Sequence, residues 1–218
     1  MAERDTPTDA DDPTADAADP RDHDALPAAI REAVPDYDDT YLDRVADRLM
    51  YSYDLAADYA VDGERFELYA EMRMETQKQF LHPALNYANH ETEEYLFARR
   101  VRTPTVGQLE RLVDLGHAVA DDRVEGNEEH YGTDITFVLV AERIPDAVAD
   151  FVDGFRDRTL LKFGYYGHYE VNLIVVAPDD QQIVDSEAAG PTGAFRLWEP
   201  VEEPTEGVLS RFARRFWR

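Results

Sequence analysis

The segment YDLAADYAVDGERFELYAEMRME, residues 53–75, decides what kind of fold this chain can form. Apolar and polar residues alternate on both sides of Asp62-Gly63, and Asp-Gly is a dipeptide that favours a tight turn. The alternating apolar positions are Leu55, Ala57, Tyr59 and Val61 before the turn, and Phe66, Leu68, Ala70, Met72 and Met74 after it. This pattern predicts a β-hairpin.

Helical spacing precedes the hairpin, and a third strand follows it. The segment DDTYLDRVADRLMYS places Leu42, Val45, Ala46, Leu49 and Met50 on one face of a helix, with Asp39 or Thr40 as its N-cap. After a loop with a helical turn from Pro83, the segment EYLFARRVR, residues 94–102, predicts a strand.

The second half of the chain alternates helices and strands. A helical stripe begins after Pro104, with Thr103 or Thr105 as its cap, and a polar loop then leads to the buried strand ITFVLVAE. A helix opens at Pro145, two strands meet around Gly167-His168, and AFRLWEP predicts a last short strand. This order predicts an α+β fold: a single domain with a mixed, largely antiparallel sheet, packed by helices mostly on one face.

The two ends of the chain differ from the rest in composition. Residues 1–26 are mainly Asp, Ala, Pro and Thr, and they are expected to form a disordered, flexible acidic tail because they offer little apolar surface to bury. Residues 27–200 are expected to form the domain. Residues 201–218 then read as a linker and a short basic amphipathic helix.

Composition indicates the solvent in which the protein works. The chain has 47 acidic and 22 basic residues, a net charge of -25, and 20 arginines but only two lysines. Acidic surfaces with so little lysine are typical of proteins that remain soluble in molar KCl. At about 1 M salt the Debye length is only about 3 Å, so contacts with partners must be direct or apolar.

Several classes of protein are excluded by composition. The chain has no cysteine, so disulfides and thiol catalysis are excluded. No apolar run approaches the roughly 20 residues that span a bilayer. The N-terminus lacks the pattern of a signal peptide. We therefore expect a cytoplasmic protein.

The segment Lys162–Tyr169, KFGYYGHY, is the first candidate binding site. It combines Lys162, one of the two lysines, with His168, two glycines and three tyrosines: Tyr165, Tyr166 and Tyr169. Glycine lets the backbone approach a partner closely, and tyrosine offers an apolar face with a polar tip. The alternative is purely structural, since tyrosine favours strands and glycine favours turns. Arg99, Arg100 and Arg102 form a basic cluster that is expected to pair with acidic residues.

The C-terminal segment GVLSRFARRFWR is the second candidate site. A helix there places Phe212 and Phe216 on one side, Arg211 and Arg215 opposite or flanking, and Trp217 at the border. This pattern fits docking to a partner protein or binding at a membrane surface, where the protein would be peripheral. The alternative is that the helix folds back on the protein's own acidic surface.

An enzymatic alternative rests on element order. The order α-β-β-β-α-β is also the core order of restriction-endonuclease-like nucleases, but the acid-x-lysine motif of that chemistry is absent. A weaker metal site would use His82 and His90, with Lys78 and Lys162 as further candidate site groups. We expect no metal, no cofactor and no nucleic-acid partner.

Three segments carry a resemblance to a known family. FLHPALNYANHE, DRTLLKFGYYGHYEVNLIVVAP and AFRLWEP resemble segments of a conserved haloarchaeal protein family of unknown function. The resemblance covers roughly Leu26 to Pro200 and implies a haloarchaeal source and a single domain. It supplies no catalytic residue.

Together these features favour a non-enzymatic binding or interaction protein, which would use the Tyr165–Tyr169 turn or the C-terminal helix. The metal-dependent enzyme is the alternative, and its substrate would be phosphorylated or a nucleic acid. A structural subunit of a larger assembly is the third interpretation.

Overall fold

The computed structural model of this chain describes residues 35–78 and 88–199, with side chains described for 35–74 and 91–199. The acidic segment 1–26, the helical turn predicted at Pro83 and the C-terminal segment 201–218 lie outside the described residues. The predictions for these segments therefore stay predictions.

The described helices and strands follow the predicted order from the first helix through the second strand after the third helix. The elements are α1 (Thr40–Leu49), β1 (Asp54–Val61), β2 (Glu64–Lys78), β3 (Ala88–Val101), α2 (Val106–Arg123), β4 (His130–Ala141), α3 (Asp146–Asp153), β5 (Asp157–Leu160), β6 (His168–Ala177), β7 (Gln182–Asp185) and α4 (Thr192–Phe195). A short 3-10 turn, Leu161–Gly164, lies between β5 and β6.

The strands form one mixed, seven-stranded sheet. Its order is β1-β2-β3-β4-β6-β5, and β7 also pairs with β6. The pairs β3–β4 and β4–β6 are parallel, and the other four pairs are antiparallel. The predicted α+β fold with a mixed, largely antiparallel sheet is confirmed.

Both faces of the sheet are covered by helices. Tyr95 and Phe97 of β3 pack in a cluster with residues of α2 and α3, whereas Leu96 and Ala98 pack in a second cluster with residues of α1 and with Phe195 of α4. The prediction that the helices lie mostly on one face is wrong. The central strands β3, β4 and β6 are buried on both faces, which requires a helical layer on each side.

The two longer helices begin where their capping residues indicate. Asp39 caps α1, since its carboxylate accepts hydrogen bonds from the backbone N–H groups of Tyr41 and Leu42. Thr105 and Gln108 form a reciprocal capping box at the start of α2. The predicted apolar face of α1 is confirmed for Leu42, Val45, Ala46 and Leu49, which are all buried.

The first hairpin has the predicted turn and an unpredicted irregularity. Asp62 and Gly63 both have positive φ angles, 47° and 82°, as a tight hairpin turn requires. At Asp58, where φ is 52°, the pairing passes from Ala57–Leu68 directly to Tyr59–Phe66. Leu55 therefore packs on the α1 side, whereas Tyr59 packs on the α2 side.

Several predicted boundaries differ from the structure. Strands β2 and β3 extend into the predicted loop, to Lys78 and from Ala88. The strand predicted for AFRLWEP is wrong, because this segment begins within α4, and β7 was not predicted. Contacts with α1 hold α4, since Tyr41 Oη donates to the Phe195 carbonyl at 2.5 Å. None of the described helices is long and apolar enough to cross a membrane.

Candidate functional site

The segment 157–169 is a strand–turn–strand unit at one edge of the sheet. β5 pairs antiparallel with the start of β6, and Leu160 faces His168 at the last pair before the turn. The turn therefore spans residues 161–167. The predicted junction at Gly167-His168 is corrected, because His168 already belongs to β6 and also pairs with Gly132 of β4.

Large apolar side chains of this unit are exposed to solvent. The exposed fraction is 59 % for Leu160, 96 % for Phe163 and 86 % for Tyr165. Among the described residues only one other large apolar side chain is exposed, Tyr51. Single exposed apolar residues are ordinary on protein surfaces, but these three lie within six residues of chain and concentrate exposed apolar surface in one short segment. We call Leu160, Phe163 and Tyr165 the exposed patch.

The backbone at the tip of the turn is left-handed at two consecutive residues that are not glycine. Lys162 has φ 46° and ψ 50°, and Phe163 has φ 59° and ψ 26°. Each such residue costs on the order of 1–3 kcal/mol and persists only where its surroundings enforce it. Strain of this kind clusters at binding sites and switch regions, and consecutive left-handed residues also form tight hairpin turns.

Hydrogen bonds close the turn on itself. The Leu161 N–H donates to the Gly167 carbonyl at 3.0 Å, and the Tyr166 N–H donates to the Leu161 carbonyl at 3.3 Å. Because the chain is closed at residues 161–167, the left-handed residues between them have little freedom. Phe163 and Tyr165 are therefore presented by a fixed loop.

His130 at the start of β4 anchors the inner side of the turn. Its Nδ1 lies 2.7 Å from the Tyr166 carbonyl oxygen, and its Nε2 lies 2.9 Å from Thr133 Oγ1. A carbonyl only accepts hydrogen bonds, so Nδ1 donates to it, and Nε2 shares a hydrogen bond with the Thr133 hydroxyl. His130 is 7 % exposed, so this anchor is buried.

His117 of α2 holds both strands of the unit. Its Nδ1 lies 2.9 Å from Tyr169 Oη on β6, and its Nε2 lies 3.1 Å from Asp157 Oδ2 on β5. The natural arrangement has Nε2–H donating to the carboxylate while the tyrosine hydroxyl donates to Nδ1. Sequence reasoning did not single out His117, because its partners lie 40 and 52 residues away.

The predicted site residues separate into two groups. Lys162 and Tyr165 are exposed, and Tyr166 is half-buried with the Lys162 Nζ 6.0 Å from its ring centroid. His168 and Tyr169 point to opposite faces of the sheet, as consecutive strand residues do. His168 contacts the Arg158 guanidinium at 2.9 Å, whereas Tyr169 is buried against α2. Leu160 and Phe163, which complete the exposed patch, were not predicted.

The other candidate residues lie outside the described part of the chain. Arg211, Phe212, Arg215, Phe216, Trp217 and His82 are not described, and only the backbone of His90 and Lys78 is, within β3 and β2. The described residues contain no group of three or more acidic or histidine side chains arranged to hold a metal ion.

The comparison with protein families places the chain among its relatives. Residues 37–197 match a domain of unknown function (DUF8052). The chain belongs to this family. The DUF8052 match includes every described helix and strand and the complete turn with its exposed patch. No curated protein and no solved structure matches the chain.

Proposed function

We propose that this protein is a non-enzymatic binding protein and that the exposed patch of the β5–β6 turn contacts its partner. The observation that carries the proposal is the clustering of Leu160, Phe163 and Tyr165, which are exposed on a closed turn with two left-handed residues. Aromatic side chains presented rigidly bind well, because little conformational entropy is lost when they are buried.

The anchors of the turn support the same role. His130 fixes the inner side of the turn, and His117 fixes the strands at its base. Tight hairpin turns also use left-handed residues, but there glycine and asparagine are favoured over residues such as Lys162 and Phe163. The strain is therefore offset by the anchors and keeps Phe163 and Tyr165 turned outward.

The partner that fits this patch is a protein with an apolar recess for the two rings. Lys162 directly precedes Phe163 and offers a cation for an acceptor at the rim of that recess. We also infer from the scarcity of lysine that binding takes place in molar salt, where apolar contact dominates.

The C-terminal segment is proposed as a second contact. Its motivation is the sequence alone, in which Phe212, Phe216 and Trp217 alternate with Arg211 and Arg215. In this proposal the domain supplies the exposed patch, and the segment adds an amphipathic helix to the same partner or to a membrane surface.

The experiment is affinity purification in molar KCl with three full-length baits: wild type, Phe163→Ser/Tyr165→Ser, and Tyr51→Ser. Tyr51 is the matched control, because it is also exposed but lies outside the turn. We expect a partner that is lost with the double variant and kept with Tyr51→Ser. Equal recovery with all three baits, or no recovery with any, contradicts the proposal. A fourth bait that ends at Pro204 tests the C-terminal segment separately.

The second candidate function is a metal-dependent enzyme, and the element order favours it. The described elements follow the α-β-β-β-α-β order that is shared with the nuclease-like core. Its test is the melting temperature in molar KCl with Mn²⁺, Mg²⁺ or Zn²⁺ added. If one metal raises the melting temperature and this effect disappears in a His82→Ala/His90→Ala variant, the result favours the enzyme. If none of the three metals changes the melting temperature, the result argues against it.

A further inference from the structure

The outer edge of β6 is interrupted in its middle. β5 pairs with residues 168–171 of β6, and β7 pairs with residues 174–177 of the same edge. Asn172 and Leu173 therefore lie in a gap between two short strands. The chain enters β5 on one side of this gap and leaves β7 on the other.

A cleft of about 430 Å³ occupies this gap. Phe155 and Asn172 line it, together with the charged residues Arg156, Asp157, Arg158, Glu170 and Glu187. Its volume lies within the roughly 300–1,000 Å³ that is typical of small-molecule sites. The cleft is separate from the exposed patch, since none of the patch residues lines it.

The Asn172 side chain has a fixed orientation and an unused donor. The Leu173 N–H donates to Ser186 Oγ at 3.0 Å, so the Ser186 hydroxyl is left to donate to Asn172 Oδ1, at 3.4 Å. The Asn172 Nδ2 thus faces away from Ser186. Asn172 is 1 % exposed, and its Nδ2 has no hydrogen-bond partner in the part of the chain that the structure describes.

A second buried polar atom without a hydrogen-bond partner lies beside Asn172. Thr136 of β4 is its register partner and is 0 % exposed, and within the described ranges its Oγ1 also has no hydrogen-bond partner. Neighbouring strands lie about 4.8 Å apart, so the two polar groups are adjacent on the same face. Buried polar groups are nearly always paired with protein or with a bound molecule, and two orphans side by side indicate that something else completes this site.

Four of the five charged residues of the cleft form two ion pairs, and the fifth, Asp157, pairs with His117 of α2. Arg158 Nε lies 3.1 Å from Glu170 Oε1, and Arg156 pairs with Glu187. Glu170 is mostly buried, whereas the side chains of Arg156 and Glu187 are 73 % and 63 % exposed. The Glu170 carboxylate therefore lies at the inner end of the cleft, whereas the side chain of Arg158, which is 55 % exposed, lies towards solvent with the second pair.

We propose that this cleft binds a small zwitterion, specifically an α-amino acid. The ligand carboxylate accepts hydrogen bonds from Asn172 Nδ2 and the Arg158 guanidinium, and the ligand ammonium group donates to the carboxylates of Glu170 or Glu187. Phe155 contacts the ligand side chain. A purely anionic ligand would leave the two glutamates opposed to like charge, and a purely cationic ligand would offer Asn172 no acceptor.

The experiment measures the melting temperature of the full chain in molar KCl with each standard L-amino acid at millimolar concentration. We expect at least one to raise the melting temperature. Two matched compounds define the chemistry: the amide of that amino acid lacks the carboxylate, and its N-acetyl derivative lacks the ammonium group. Neither is expected to stabilise the protein.

The Asn172→Val variant tests the assigned residue. The variant removes an unpartnered buried donor but also the acceptor of the Ser186 hydroxyl, so the melting temperature of the free protein is expected to fall slightly, while the affinity for the amino acid falls by roughly tenfold or more. The Phe163→Ser/Tyr165→Ser variant should bind the amino acid as the wild type does, so this proposal and the binding role of the turn fail independently.

A second measurement keeps the proposal testable if Asn172→Val does not fold. In NMR spectra of the ¹⁵N-labelled wild type, the two side-chain N–H signals of Asn172 are expected to shift when the amino acid is added. The proposal is overturned if no amino acid changes the melting temperature, which would leave an ordered water as the partner of Asn172. It is also overturned if Asn172→Val binds as tightly as the wild type or if the Asn172 signals do not move.

Discussion

Arg123 Nη2 donates a hydrogen bond to Tyr59 Oη at 2.6 Å and thereby ties the last residue of α2 to the first strand of the sheet. Its Nη1 donates to Tyr69 Oη at 2.9 Å. The guanidinium carbon also lies 5.0 Å from the ring centroid of Tyr95 and 5.9 Å from that of Phe97. The Arg123 guanidinium thus lies among four aromatic rings, which come from β1, β2 and β3, and links these strands to α2. We call this arrangement the aromatic box.

Replacement of Arg123 should therefore destabilise the fold. Arg123→Leu is expected to lower the free energy of unfolding by roughly 2–3 kcal/mol, because two charge-assisted hydrogen bonds and the cation–π contacts are lost. The free energy of unfolding of Arg123→Lys should lie between those of the wild type and Arg123→Leu, since an ammonium group keeps the charge but lacks the planar fork that reaches both hydroxyls.

The measurement is chemical denaturation in molar KCl, with Arg111→Leu as the control. Arg111 is an exposed arginine on the same helix, and its replacement should change stability by less than about 0.5 kcal/mol. If Arg123→Leu is as stable as Arg111→Leu, the aromatic box contributes nothing to folding.

Alkaline pH should destabilise the protein through its buried tyrosines. Burial, together with the nearby carboxylates of Glu93 and Glu71, raises the pKa of Tyr95 to about 12. An unfolded tyrosine ionises near pH 10, so between about pH 10 and 12 the unfolded state has lost a proton that the folded state retains. Stability is therefore complete below about pH 10 and falls as the pH rises through this window.

The Tyr95→Phe variant isolates this contribution. Its free energy of unfolding should fall less steeply between about pH 10 and 12, by the equivalent of one proton per molecule. Burial also raises the pKa of Tyr37, Tyr41, Tyr53 and Tyr69, so the variant should keep part of the decline. Parallel curves for the wild type and Tyr95→Phe would show that Tyr95 ionises equally in both states.

The parts of the fold that sequence predicts are those with local signals. Asp39, Thr105 and Asp62-Gly63 each act within a few residues of their own position, through a cap or a turn, and each begins or ends an element as expected. The strand β7 has no such signal. Its four residues are placed by pairing with β6, and α4 is placed by hydrogen bonds from Tyr41 and Arg48 of α1.

The candidate sites show the same division. Sequence pointed to Lys162 and Tyr165 because lysine is rare and tyrosines cluster there, and both are exposed. Phe163 was missed, because its exposure depends on left-handed φ angles that are unusual for Lys and Phe. The Asn172 cleft was missed as well, since it exists only where β5 and β7 leave a gap along β6.

Asp39 should stabilise α1 in two separable ways. Its carboxylate caps the helix, and it also pairs with Arg100, whose Nη2 lies 2.9 Å from Oδ1. The Arg100 hydrogen bond lowers the pKa of Asp39, so the pair contributes stability above about pH 4 that is lost as the pH falls through the folded-state pKa. This contact confirms for Arg100 the prediction that the basic cluster pairs with acids.

Two substitutions separate these contributions. Asp39→Asn keeps an acceptor for the cap and loses the charge, so its stability should not show the acid-dependent loss due to the pair. Asp39→Ala removes both and should be less stable than Asp39→Asn by about 1 kcal/mol at neutral pH. Thermal melts from about pH 3 to 7 make the comparison. Equal stability of the two variants at neutral pH would mean that the cap contributes little.

Gly167 should tolerate no side chain, in contrast to Gly63. Both glycines have positive φ, 73° for Gly167 and 82° for Gly63. A Cβ on Gly63 would meet no atom within 4 Å, whereas a Cβ on Gly167 would lie 2.2 Å from the Tyr131 carbonyl oxygen and 3.0 Å from His130 Nδ1. The backbone must move to relieve the overlap of this Cβ with the Tyr131 carbonyl oxygen. The close approach to His130 Nδ1 would also disturb the anchor that His130 provides for the turn.

Gly63→Ala is therefore expected to cost about 1 kcal/mol for its backbone conformation alone. Gly167→Ala should cost at least about 3 kcal/mol, because backbone strain and steric overlap add. Denaturation of the two variants under identical conditions gives the comparison. A similar loss for both would mean that the turn moves freely away from Tyr131, and the rigid presentation of Phe163 and Tyr165 would then lose its structural basis.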